Sequence, residues 1–137
     1  MDSEPHPQVI ATTTEGTRVA LLQAKRTASA GEPIVLLVAH VTTFSALRDG
    51  PADTARVVEN YQAIARAAGV EVIVRLCHCR SYRDIVRWML GRSSLIVIGG
   101  RRRRWWPTAA QRMFRVLERA GHSVVFADVG QDQARMA

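Results

Sequence analysis

The stretch "GGRRRRWWPT", Gly99 to Thr108, packs four arginines and two tryptophans between an apolar run and an amphipathic one. Guanidinium groups bind phosphate or carboxylate in bidentate fashion, and indole faces stack on bases or cap cations. Arg101, Arg102, Arg103 and Arg104 are therefore equipped to hold an anion, with Gly99, Gly100 and Thr108 framing them. A second cluster, Thr12, Thr13 and Thr14, offers hydroxyls and the amides of a helix start. Three readings of the loop stay open. The arginines and threonines make a site for a small anion or nucleotide. Alternatively, Trp105 and Trp106 fold inward and plug the pocket while the arginines stay in solvent. In the third, Trp105 and Trp106 join Arg112, Arg115 and Arg119, which recur at helical spacing, as a surface for nucleic acid or an acidic protein.

Other chemistry finds less material. In "CHC", Cys77 and Cys79 fall on one side of an extended strand and His78 on the other, so the three cannot converge on one metal ion. No metal site is expected. Adjacent positions of this kind also suit no disulfide framework, which fits a reducing compartment. The nearest acids to the loop region, Glu15, Asp49 and Asp53, sit in no recognisable motif. Neither a P-loop lysine pattern nor Gly-x-Ser-x-Gly is present, so the sequence gives no argument for catalysis.

Charge is distributed unevenly. Between Arg75 and Arg119 twelve arginines face only Asp84 and Glu118, a surplus of ten positive charges in a chain whose net charge is +7. That half projects a field attractive to anions, or else a solvated basic surface. The longest apolar run, "IVLLVA", is too short to cross a bilayer, and "MDSEPHPQ" has no signal-like apolar core. The expectation is a cytoplasmic protein with no membrane contact.

These residues need a frame, and the hydrophobic pattern supplies one. The chain has 137 residues, 47% of them hydrophobic, enough for one domain over residues 8–129, with a disordered tail at 1–7 and a second tail at 130–137. Strand-like runs cover Gln8–Thr12, Pro33–Val41, Val70–Cys77, Ser94–Gly100 and Ser123–Val129; several are continuously β-branched, as in parallel strands covered on both faces. Helical patterns cover about Glu15–Ala30 and Asp53–Ala68, the latter with Val57, Tyr61, Ile64, Ala65 and Ala68 inward. A third starts at the capping box Ser81-x-x-Asp84 and buries Ile85, Trp88 and Met89. The fourth starts at Thr108-x-x-Gln111 with Ala109, Met113, Val116, Leu117 and Ala120 inward. Gly31, Gly69, Gly91 and Gly121 stand at the helix ends.

Strict β-α alternation with short loops implies an α/β fold, a doubly wound parallel sheet of five strands in the order 3-2-1-4-5. Ligands of such sheets bind at the switch point, here between strands 1 and 4, where the threonine cluster and the arginine loop both emerge.

Over nearly its whole length the chain resembles the universal stress protein family. "VIATTTEGTRVALLQAKRTA" fits that family's first strand and helix, and "GVEVIVRLCHCRSYRDIVRWMLGRSSLIVIGGR" its third strand through fourth. "RVLERAGHSVVFADV" is similar to its closing helix and strand. The resemblance implies a Rossmann-like fold of the adenine nucleotide hydrolase type, a role in stress adaptation, and homodimers through strand 5. It also implies where ATP would sit. ATP-binding members place an aspartate after strand 1, which falls on Thr13, and a Gly-x2-Gly-x9-Gly-Ser/Thr loop after strand 4. Gly99 keeps its first glycine; the second falls on Arg102, and the final pair falls near Ala110 and Gln111. Glycines let backbone amides wrap phosphates, so their replacement argues against conventional ATP binding and for a degenerate site. No cofactor is expected with certainty.

Overall fold

The structure, a computed structural model, describes residues 7–28, 32–41, 51–79, 95–103 and 107–130. Along these the chain runs β1 (Gln8–Ile10), α1 (Thr14–Thr27), β2 (Ile34–Val41), α2 (Pro51–Ala67), β3 (Val72–Cys79), β4 (Leu95–Gly100), α3 (Ala109–Arg119) and β5 (Ser123–Asp128). The helix expected from Ser81 lies outside the described residues, with Gly31, Gly91 and most of both flanking tails. Of the expected N-terminal tail, Pro7 is described, and it is buried.

All five strands pair in parallel, in the order β3-β2-β1-β4-β5, as the alternation requires. In the central register Val9 lies opposite Leu36 on one side and Val97 on the other. Successive residues face opposite sides of the sheet, so the apolar runs of β1, β2, β4 and β5 serve two cores. Val9, Leu36 and Val97 share one core with Ala20, Leu21 and Ala24 of α1 and with Ala65 of α2. Ile10, Leu37, Ile96 and Ile98 share the other with Ala110, Met113 and Leu117 of α3. This double burial is why the strands read as unbroken apolar runs instead of alternating ones.

The element boundaries differ from the sequence reading in ways with identifiable causes. α1 stops at Thr27, short of Gly31, and Ala28 is already extended, with ψ 145°. The Thr27 hydroxyl donates to the Ala24 carbonyl at 3.0 Å, a local bond that competes with continuation of the helix. α2 starts at Pro51, a residue pre-set for the first helical position. It ends in a Schellman motif: Gly69, at φ 70°, donates to Arg66, and Val70 donates to Ala65. Val70 is thus spent on the helix end, and β3 begins two residues later than the apolar run does. Gly121, at φ 91°, closes α3 the same way, with bonds from Gly121 and His122 to Glu118 and Leu117. On α3 the inward stripe is Ala110, Met113 and Leu117, one position on from the expected Ala109, which is exposed, as is Ala120. Among the described residues β5 pairs only with β4 and forms an edge, with Val125 partly exposed.

Candidate functional site

At the carboxyl ends of β1 and β4 the chain leaves the sheet toward opposite faces, and a pocket of about 720 Å³ opens there. Its position is the switch point that the topology demanded.

The threonine cluster is committed largely to the scaffold. The Thr12 hydroxyl donates to the Gly99 carbonyl at 2.6 Å, tying the diverging ends of β1 and β4 together. The Thr12 amide donates to the fully buried Thr17 hydroxyl at 3.0 Å, and the Thr12 carbonyl accepts from the Tyr61 hydroxyl at 3.3 Å. Every polar group of Thr12 therefore has a protein partner. Thr13 is the N-cap of α1, its hydroxyl oxygen accepting from the Gly16 amide at 3.0 Å, and it lines the pocket. Thr14, the first helical residue, is exposed and does not line the pocket.

The arginine loop is wound onto the start of α3. Thr108 and Gln111 form the expected capping box, complete in both directions. The same two side chains hold the loop: the Thr108 hydroxyl donates to the Arg101 carbonyl at 2.9 Å, and Gln111 Oε1 accepts from the amides of Arg103 at 3.1 Å and Thr108 at 2.8 Å. Gln111 Nε2 completes the clasp by donating to the Arg103 carbonyl at 3.4 Å. The Arg103 amide and carbonyl are thus both taken up by this clasp.

Arg101 and Arg103 line the pocket, and so does Arg112 from the first turn of α3. Among the described residues none of these three guanidinium groups has an ion-pair partner. Arg102 goes elsewhere: its guanidinium lies 4.8 Å above the ring of Phe126 on β5, which stacks edge-on against Phe114. Arg115 and Arg119 are exposed on α3 away from the pocket, so the three α3 arginines expected to form one outer face divide into one that lines it and two that do not. Arg104, Trp105 and Trp106 lie outside the described residues, as does Asp49. Among the described residues the one acid lining the pocket, Glu15, pairs with Arg18 at 3.5 Å.

Gly99 and Gly100 line the pocket, but their packing explains them without a phosphate. A Cβ on Gly99 would overlap the Gly16 carbonyl, and one on Gly16 would overlap the Gly99 carbonyl in return. A Cβ on Gly100 would stand 2.6 Å from Ala110 Cβ. These glycines let α1 and α3 seat directly on the end of β4.

Sequence reasoning did not single out Gly16, Thr17 or the apolar part of the wall, which comes from Ile10, Ile98, Met113, Val116 and Val129. A signal existed for Arg112 alone, since the first turn of a helix after a βα loop lies at the ligand edge. "CHC" runs along β3 in continuous strand pairing with β2, through Cys79. No group of three metal-ligating side chains occurs among the described residues, and no described helix is long and apolar enough to cross a membrane. Comparison with known proteins adds no further assignment: no family model and no curated protein matches this chain.

Proposed function

We propose that this is a cytoplasmic protein of the universal stress type, a regulatory binding domain whose switch-point pocket holds an anion through arginine side chains instead of ATP through a glycine cradle. The observation that carries the reading is the trio Arg101, Arg103 and Arg112 on one pocket wall, without ion-pair partners among the described residues. Three like charges around one cavity repel one another, and an anion between them relieves that repulsion. The N-terminal turns of α1 and α3 both contribute to the lining, from opposite faces of the sheet, and add partial positive charge. The stress-adaptation role rests on the family resemblance of the segments quoted above.

Binding of this kind is electrostatic and therefore screened, over about 8 Å at physiological ionic strength. Calorimetric titration of ATP, GTP and pyrophosphate at low and physiological salt is expected to give weak binding that falls steeply with salt. ATP should have no advantage over GTP. Tight, salt-insensitive, adenine-selective binding would overturn the reading.

A second reading is favoured by one observation: Arg115 and Arg119 extend the exposed positive charge along α3 beyond the pocket. A single-stranded oligonucleotide that binds far more tightly than pyrophosphate in the same titration would put a nucleic-acid surface in first place. The proposal also includes a homodimer through β5, whose outer edge carries partly exposed Val125. Sedimentation at micromolar concentration should then show dimers; monomer alone would remove that part.

A further inference from the structure

The pocket lining is mixed. Arg101, Arg103 and Arg112 are exposed, whereas Ile10, Ile98 and Val129 are already closed off by core packing. The apolar surface that remains open comes mainly from α3, from exposed Ala109, half-buried Val116 and the edge of Met113. A polyphosphate would engage the arginines and leave that apolar surface uncovered. A nucleobase laid against Ala109, Met113 and Val116 would find no hydrogen-bonding side chain on that part of the lining. Thr12, on the lining at the end of β1, has already given its proton to Gly99 and its carbonyl to Tyr61.

We infer that the pocket takes an amphipathic anion: a short hydrocarbon body lying against Ala109, Met113 and Val116, with one carboxylate or phosphate head held by the exposed Arg101, Arg103 and Arg112. The inference rests on the anion-binding reading above and names the ligand class of that same pocket. A volume of about 720 Å³ is within the range of small-molecule sites, and a mainly apolar wall with a few convergent charged groups is their usual composition. The two parts of the pocket make separable contributions. The head fixes orientation and salt dependence, while the body sets affinity through the area it removes from water.

The test is a homologous series titrated into the full chain by calorimetry: hexanoate, octanoate and decanoate, the matching alkyl phosphates, neutral 1-octanol, and pyrophosphate. Affinity should rise about fourfold for each added methylene, the value of burying one such group. Octanoate or octyl phosphate should exceed both octanol and pyrophosphate, and the better of the two heads identifies the source of the anion. Ala109→Trp places an indole at an exposed position on the pocket wall, where the core does not depend on it. That variant should bind decanoate at least tenfold more weakly while unfolding at the native temperature; unchanged affinity would place the chain elsewhere and overturn the assignment. Anions that bind with no dependence on chain length would overturn the amphipathic ligand and leave the anion-binding reading standing. Octanol binding as tightly as octanoate, or no binding by any anion at low salt, would remove both.

Discussion

Gly99→Ala is expected to destabilise the protein by about 3 kcal/mol, lowering its unfolding temperature by roughly 10 °C. The family resemblance implies a different expectation, because it would put Gly99 at the first glycine of a phosphate-binding loop, where exchange for alanine costs ligand affinity and not stability. The structure gives the glycine another task. Its Cα lies against the Gly16 carbonyl, backbone on backbone, and the nearest side-chain atom to an added methyl, Ala20 Cβ, would be only 3.1 Å away. Neither neighbour is the flexible end of a long side chain, so α1 itself must retreat. Retreat also stretches the 2.6 Å bond from the Thr12 hydroxyl to the Gly99 carbonyl, adding the weakening of a partly buried hydrogen bond to the overpacking cost. Gly100→Ala is the internal comparison. Its added methyl meets the Ala110 side chain at 2.6 Å and Phe126 Cζ at 3.6 Å, and α3 can adjust at its first turn, so a cost of about 1–2 kcal/mol is expected. Thermal unfolding of both variants without ligand decides the matter. A Gly99→Ala protein that melts within 2 °C of the native one, by the same scale, shows that the close approach is not needed.

That contact illustrates where the sequence stops being readable. Local signals survived well: the strand order, the two left-handed glycines at Gly69 and Gly121, and the Thr108–Gln111 capping box all depend on residues close in sequence or on the period of apolar positions. The failures are tertiary. Nothing in "TTTEGT" says that Gly16 will meet a residue 83 positions later, because a small residue in a helix start has several ordinary explanations. The start of β3 was misplaced because Val70 is apolar for the sake of a helix end, and apolarity alone does not distinguish that from a strand. The pocket's location followed from topology, but its polarity did not. Which arginine turns toward it depends on the clasp between Gln111 and Arg103 and on Phe126 reaching Arg102 from another strand. Four consecutive arginines are identical to a sequence reader and different to the fold.

That difference should be measurable as a loss of binding. Replacing Arg101, Arg103 and Arg112 together with glutamine is expected to weaken anion binding about a hundredfold at low salt. Each guanidinium is exposed, so its charge-assisted bond is worth nearer 1 kcal/mol than the 1.5–3 typical of better-shielded pairs, or about fivefold apiece. Because all three would share one anion, the triple loss need not equal the product of the single losses, and the hundredfold figure is the additive limit. Stability should be unchanged or slightly higher, since none of the three has an ion-pair partner among the described residues and their removal relieves like-charge repulsion. The decisive control is Arg102→Gln. It removes the same single charge from a chain of net charge +7, but from a guanidinium parked over Phe126 outside the pocket. It should cost about 0.5–1 kcal/mol of stability through the lost cation–π contact and change anion affinity less than twofold. If Arg102→Gln weakens binding as much as Arg112→Gln does, the anion is answering to the overall field of the basic half and not to a built site. If only the pocket arginines matter, the anion answers to a site built from three particular side chains.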